Sequence, residues 1–183
     1  MQKLKVLKKL LKKKPFDKIT IANLTEDCGI SRMAFYYHFK DIYDLVEWVC
    51  VEDGRKALRD KKTYDTWQEG FTQIFEAVLE NKPFIMNVYH SVNREKIESF
   101  LYKLTYQLIV DVVEEKCARD HLPEEDKQFI ADFYKYGFVG IMLDWIEHGM
   151  KEDYQKIVDL LSVTLHGNIA NSIHNFEQEN DRI

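Results

Sequence analysis

The stretch TIANLTEDCGISRMAFYYHFK, residues 20–40, predicts a short helix, a tight turn and a second short helix. Thr20 is a favourable N-cap residue, and the apolar residues after it give the first helix an inward face. Gly29 can adopt the left-handed conformation that ends a helix, and Ser31 can cap the next one. The pattern predicts a helix-turn-helix, whose second helix enters the major groove of DNA.

The longer run PFDKITIANLTEDCGISRMAFYYHFKDIYDL, residues 15–45, resembles the DNA-binding domain of the TetR/AcrR family of transcriptional regulators. The resemblance lies in the PFDKIT segment, the GIS turn, the FYYHF segment and the Lys40 that follows. Within the family, these segments are most similar to the subgroup of dihydroxyacetone kinase operon activators. The resemblance implies an all-α fold, with a three-helix DNA-binding domain over residues 1–45. A helical domain for effector binding and dimerisation is then expected over residues 46–183.

Composition and charge agree with a folded, water-soluble, DNA-binding chain. Of 183 residues, 45% are hydrophobic and 31% charged, and only seven are glycine and three proline, which favours long helices. Residues 1–50 carry 10 basic and 6 acidic side chains (+4), whereas the rest carry 16 basic and 25 acidic (−9). A basic head on an acidic body fits a protein whose head alone approaches phosphate, and ordinary surface charge is the alternative.

Three cysteines without CxxC spacing, Cys28, Cys50 and Cys117, predict a reduced protein. The sequence contains no apolar run of membrane length and no signal-peptide core. We therefore expect a cytoplasmic protein.

Hydrophobic periodicity predicts helices along the whole chain. Residues 1–14 form a basic amphipathic pattern, which we interpret as the first helix of the DNA-binding domain; a membrane-surface helix is the alternative. A connecting helix is predicted over residues 41–61, in which Gly54 is either a tolerated weak point or a bend. The predicted helices of the body span residues 64–81, 83–91, 93–117, 124–148 and 153–176, followed by a frayed polar tail.

Arg32, Met33 and Ala34 lie at the start of the second helix of the motif, where the resemblance places base contacts. The fork of Arg32 matches guanine O6 and N7, a pairing worth roughly 1–3 kcal/mol of discrimination. A phosphate contact or a solvated side chain is the alternative for Arg32. Met33 and Ala34 offer only apolar contact, for instance to a thymine methyl group. Many relatives have Gly-Thr at these two positions, so the operator sequence stays open.

Three consecutive polar aromatic residues, Tyr36, Tyr37 and His38, follow on the same helix. Phe35 and Phe39 already fill the inward i, i+4 positions, which leaves these three for the outside. The resemblance implies that Tyr36 and His38 bond phosphates and that Tyr37 lies along the groove wall. Partial packing against the first helix is the alternative for Tyr36.

The resemblance also implies phosphate contacts from Thr20, Ser31 and Lys40. Relatives often carry a second basic residue two positions after Lys40. Here that position is Ile42, which removes one expected phosphate contact.

A single head offers few DNA contacts, so a homodimer that reads two half-sites of a double-stranded operator is expected. The family dimerises through its last two long helices, here 124–148 and 153–176. Burial inside one protomer explains the same apolar residues equally well. The predicted interface residues are Phe138, Ile141, Met142, Trp145, Leu161, Leu165 and Ile169.

The resemblance implies an effector site in the body, for an unknown small molecule or, as in the operon-activator subgroup, a co-regulator protein. Aromatic and adaptable residues that could line a pocket are equally suited to a plain core. The predicted pocket residues are Trp67, Phe71, Phe75, Met86, Tyr89, His90, Phe100, Tyr106, Phe133 and Tyr136.

Catalytic function is not indicated by the sequence. It contains no G-x-G-x-x-G, P-loop, G-x-S-x-G or H-E-x-x-H motif and no di-iron E-x-x-H pattern. We therefore expect no catalytic residues, no metal and no cofactor. The rival to a regulator is an all-helical interaction module that has lost DNA binding. Repression and activation are not distinguished.

Overall fold

The computed structural model describes residue 10 and residues 14–58, 66–90, 94–117 and 122–180. Within these ranges the regular structure is helical, without strands, as the all-α prediction requires. A 3₁₀ turn, Phe16–Lys18, precedes the α-helices. They are α1 (Ile21–Cys28), α2 (Arg32–Tyr36), α3 (Ile42–Leu58), α4 (Trp67–Glu80), α5 (Lys82–Tyr89), α6 (Arg94–Lys116), α7 (Glu124–Glu147), α8 (Tyr154–Leu165) and α9 (Asn168–Asn180).

The helix predicted over residues 1–14 lies outside the described residues except for Leu10 and Lys14. Leu10 is buried and belongs to the same apolar core as Phe16 and Phe35. Lys14 donates its backbone N–H to the carbonyl oxygen of Leu10 at 2.9 Å.

The predicted turn of the helix-turn-helix is confirmed in its detail. The Thr20 hydroxyl accepts from the Asn23 N–H, and the Asn23 side chain accepts from the Thr20 N–H, both at 3.2 Å, which completes a capping box. Gly29 ends α1 at φ +64°, in the left-handed region that favours glycine. Ser31 then caps α2.

Helix α3 runs from the head into the body. Its first half buries Leu45, Val46 and Val49 in the core. Further along, the sequence left open whether Gly54 is a weak point or a bend of the helix. In the structure a Cβ at this position would lie 2.6 Å from Cδ2 of Leu104 on α6. Gly54 therefore permits the close approach of two helices.

The body is built around α6 and α7, with α4 packed between α3 and α8. Its centre is aromatic: the ring centroids of Phe71 and Phe138 are 4.3 Å apart, and those of Phe75 and Trp145 are 4.9 Å apart. Burial of such large apolar rings supplies much of the free energy of folding.

The single helix predicted over residues 153–176 is wrong. The chain breaks after α8 at His166-Gly167, where Gly167 takes φ +74°, and α9 begins at Asn168. The tail predicted to fray is helical as far as Asn180. Its apolar residues Ile169 and Ile173 are buried, which holds α9 against α6 and α7.

Across the described ranges, none of the helices combines the length and apolar character that crossing a bilayer requires.

Candidate nucleic-acid interface

Helix α2 is fixed to the head by its rear face alone. Phe35 is 1% exposed, and its ring centroid lies 5.6 Å from that of Phe39, which is also buried. The Oγ of Ser31 accepts from the Ala34 N–H at 3.1 Å and so satisfies one of the free donors of the first turn. One aromatic anchor and one cap therefore hold a rod of little more than one turn.

The predicted DNA-contacting residues all lie on the surface of the head. Met33 is 82% exposed, Tyr36 56% and Tyr37 86%. The other members of the predicted set are also exposed: Thr20, Ser31, Arg32, Ala34, His38 and Lys40. The front of α2 thus presents a guanidinium, two phenols and an imidazole beside the apolar surface of Met33 and Ala34.

The aromatic rings at the end of α2 support one another. Tyr36 contacts Phe35 edge to face at 5.6 Å, and Tyr37 contacts His38 edge to face at 5.1 Å. Such contacts restrict the rings while their polar atoms stay accessible to solvent. Phenol hydroxyls are among the groups that bond phosphate oxygens in protein–DNA complexes.

Thr20 and Ser31 use only part of their hydrogen-bonding capacity as caps. Each hydroxyl oxygen accepts one backbone N–H, from Asn23 and Ala34 respectively. The hydroxyl proton of each side chain is not needed for the cap and can be donated to a phosphate oxygen. Each residue can therefore cap a helix and contact DNA at the same time.

Two carboxylates at the start of α3, those of Asp41 and Asp44, accept hydrogen bonds from the backbone. The Asp41 carboxylate accepts from the Tyr43 and Asp44 N–H groups at 2.8 Å, and Asp44 accepts from the Lys40 N–H at 2.9 Å. Ile42, which stands where relatives often have a basic residue, is partly buried against the core. This position packs the head and supplies no charge to DNA.

The residues predicted to line a pocket do not surround a common cavity. Trp67, Phe71, Phe75 and Tyr89 are buried in the core, whereas Phe133 and Tyr136 are 67% and 57% exposed. The remaining members are Met86 and Tyr106, which are partly buried, the exposed His90, and the buried Phe100.

Phe100 lines a small apolar cavity between α3, α4, α5 and α6. Its volume is about 20 Å³, which is room for roughly one water molecule. The lining residues are Gly54, Ile74, Ala77, Val78, Asn81, Phe84, Ile85, Phe100 and Leu104.

Most residues predicted for the dimer interface are buried within the protomer. Phe138, Met142, Trp145 and Ile169 are at most 3% exposed, and Leu161 is 8% exposed. Their burial is accounted for by the core of one chain. Of the other two, Leu165 is half-buried and Ile141 is 38% exposed.

The opposite face of α7 carries an exposed apolar stripe, of which only Ile141 was predicted from the sequence to lie in an interface. We define this α7 stripe by Phe129, Phe133, Tyr136, Gly137, Gly140 and Ile141. Phe129 is 63% exposed, and no atom lies within 4 Å of a Cβ built at either glycine. On α8, Leu160 and Val163 are 69% and 79% exposed. The α7 stripe could have been found in the sequence, because its residues recur at intervals of three and four, as on one face of a helix.

Two family models match the chain. The model described as bacterial regulatory proteins, tetR family, matches residues 4–49. The model described as transcriptional regulator C-terminal region matches residues 65–167, which is more than half of the chain.

A curated relative and a solved structure that are similar to this chain are both named as operon activators. The HTH-type dhaKLM operon transcriptional activator DhaS of Lactococcus lactis subsp. lactis (strain IL1403) is 24% identical over 162 residues, covering 86% of this chain and 85% of that protein. The solved structure of a dihydroxyacetone kinase operon activator DhaS has a TM-score of 0.67 and 21% identity, and the match covers 96% of both chains. This likeness shows a common fold.

Proposed function

The chain belongs to the TetR family of transcriptional regulators, and from this membership we propose that it binds a two-fold symmetric operator as a homodimer through the α2 surface. The observation that carries the proposal is the arrangement of α2. One buried phenylalanine holds the helix while Arg32, Tyr36 and Tyr37 face solvent. Exposed aromatic side chains on so short a helix need a partner, and duplex DNA matches their chemistry.

Arg32 is the residue that we assign to base readout, with Met33 and Ala34 contacting the floor of the groove. Thr20, Ser31, Tyr36, His38 and Lys40 are assigned to phosphates, and Tyr37 to the groove wall. This division between phosphate contacts and base contacts follows from what each part of the duplex offers. Phosphate contacts fix the register of the helix, whereas the edges of the bases carry the sequence information.

The second protomer is proposed to cover the α7 stripe together with Leu160 and Val163 of α8. Three aromatic rings in one stripe form an apolar surface of the kind that marks an interface. The two exposed glycines would let a partner helix approach closely. This assignment replaces most of the residues that the sequence predicted for the interface.

The head, residues 1–45, thus serves DNA and the body, residues 46–183, serves dimerisation and control. The proposed activity is regulation of transcription and not catalysis, and its place is the cytoplasm, where bacterial operators are. The named relatives are operon activators, which supports activation as the direction of control here.

The test of DNA binding uses the intergenic duplex upstream of the chain's own gene and a random duplex of equal length. We expect Arg32→Ala to weaken binding to the intergenic duplex by roughly 5–150-fold, and binding to the random duplex far less. Fluorescence anisotropy measures both. Lys151→Ala, which removes an exposed positive charge from the body, serves as the control. Equal losses on both duplexes would make Arg32 a phosphate contact.

The effector is proposed to be a protein that binds the surface of the body, because the cavity at Phe100, one of those that the described residues form, has room for little more than one water. Ala77→Val narrows this cavity further without touching the surface residues of the head. Induction of a promoter–reporter fusion in cells should survive this substitution if the effector is a protein. Loss of induction, with operator binding retained, would instead indicate a small molecule in the cavity.

A further inference from the structure

We propose that Asn87 of α5 is a positioning residue that fixes the head on the body and thereby sets the half-site spacing that the dimer accepts. The inference rests on the proposed function, since it needs a dimer that binds two half-sites. Asn87 itself lies on the body and is not among the DNA-contacting residues.

The side-chain amide of Asn87 holds the chain on both sides of Pro15. Its Oδ1 accepts from the Phe16 N–H at 2.8 Å, and its Nδ2 donates to the Lys14 carbonyl oxygen at 3.1 Å. Pro15 has φ −56°, and its ring restricts rotation between these two backbone groups. The amide therefore meets a stiff, two-point target with two separate atoms, whereas a hydroxyl would have to donate and accept through one oxygen and an ammonium group has no acceptor.

The captured segment is firmly part of the head. Phe16 is 2% exposed, and its ring lies edge to face against Tyr43 at 5.2 Å between centroids. Fixing the backbone around Pro15 therefore fixes the core on which α2 rests.

Helix α5 is equally firmly part of the body. Lys82 Nζ donates to the Gly149 carbonyl oxygen at 2.6 Å, and the Tyr89 hydroxyl donates to Glu147 Oε2 at 3.3 Å. Both partners lie at the C-terminal end of α7, the helix that carries the proposed dimer stripe. A short path of direct contacts thus leads from the dimer helix through α5 and Asn87 to the head.

The covalent connection between head and body is α3, a single helix. Helix α3 is held on the body by its packing against α4 and α6, so the freedom that is left to the head lies at its junction with the start of α3. The Asn87 contact is a second attachment on another helix, and two attachments restrict that freedom. In a dimer, the tilt of each head determines how far apart the two α2 helices lie.

Half-site spacing is a sensitive measure of this geometry. One added base pair moves a half-site by about 3.4 Å along the duplex and turns it by about 35° around the axis, since a turn takes 10–10.5 base pairs. A firmly held head should therefore reject operators that are one base pair longer or shorter. A loosely held head should accept them.

The experiment selects bound sequences from a library of duplexes with a randomised 40-base-pair centre, using the full chain. The wild type should enrich a two-fold site with one half-site separation. Affinities are then measured for that site and for variants with one base pair added or removed. In Asn87→Ala the ratio of affinities between the best spacing and these variants should fall by roughly tenfold, which is the order expected for two lost hydrogen bonds. The half-site sequence should stay the same, because α2 is unchanged.

The ratio of affinities between the best spacing and its variants distinguishes a change in the position of the head from a loss of folded protein. A partly unfolded variant loses the same active fraction at every spacing, so its ratio stays at the wild-type value. Asn87→Asp keeps the acceptor for the Phe16 N–H but sets a carboxylate oxygen against the Lys14 carbonyl oxygen, so it should also lower the ratio. Asn171→Ala, at an exposed position of α9, should leave the ratio unchanged.

An unchanged ratio in both Asn87 variants would overturn the proposal while leaving the regulator function intact. A wild type that enriches no two-fold site would instead overturn the proposed function itself, and the spacing inference with it.

Discussion

At the scale of single residues, the two caps of the helix-turn-helix show how one side chain can serve the fold and still have a donor left for a ligand. The hydroxyls of Thr20 and Ser31 accept from the backbone at 3.2 and 3.1 Å, and these caps do not use their protons. Both caps were predictable from sequence, because cap preferences depend on the two or three residues that follow. The hydrogen bonds of Asn87 were not predictable, since its partners lie 71 and 73 positions away along the chain.

Substitutions at Ser31 should separate the two roles. Ser31→Ala loses the cap and should lower the free energy of unfolding by about 1 kcal/mol. Ser31→Asp keeps a capping oxygen but places a negative charge where phosphates approach, so it should retain stability and lose DNA affinity. Thermal unfolding and fluorescence anisotropy measure the two effects. Ser31→Asp binding as tightly as the wild type would contradict a phosphate near this residue.

At the scale of helices, the glycines show which helix ends can be predicted from the sequence and which cannot. Gly29, Gly149 and Gly167 take positive φ values and end helices, whereas Gly54, Gly137 and Gly140 lie within them. Gly29 was predictable because a cap residue follows it directly. The break at Gly167 was missed because the apolar period continues through it into α9, which packs against α6 and α7.

Gly54 should tolerate no large side chain, because α3 approaches α6 there. Gly54→Leu would force new methylene groups against Leu104, and overpacking of this kind costs typically 1–3 kcal/mol. Gly54→Ala should cost less, since the end of the Leu104 side chain also lines the small cavity and has room to move. Chemical denaturation of both variants measures the difference. A Leu variant as stable as the wild type would show that the two helices can separate freely.

At the scale of the whole molecule, α7 shows why a sequence predicts the fold and leaves the interface residues open. The helix is apolar on two sides: one side buries Phe138 and Met142, and the other exposes Phe129 and Phe133. Periodicity finds such a helix with ease but does not state which side meets the core of its own chain. The interface residues predicted from sequence were mostly drawn from the inner side.

Gly140→Leu should weaken the dimer without harming the protomer. The position has open space around it, and leucine favours helix by roughly 1 kcal/mol over glycine. A side chain at the centre of the α7 stripe would keep a partner helix away, and sedimentation should then show monomers at micromolar concentration.

Gln128→Leu is the matched control, because it adds the same side chain to an exposed position about 100° around α7 from Phe129. It should sediment as the wild type does. A fully dimeric Gly140→Leu protein would place the interface elsewhere.

The packing of Ile42 into the head has a consequence for gene dosage. Ile42 packs against the core of the head, so each protomer of the proposed dimer lacks a cation at this position and would depend more on its partner for binding to a promoter. For the proposed dimer, occupancy of the promoter would follow the square of the protomer concentration while most copies are unpaired, and halving expression would cut it by about fourfold. A cell would turn such a regulator off by modest dilution during growth.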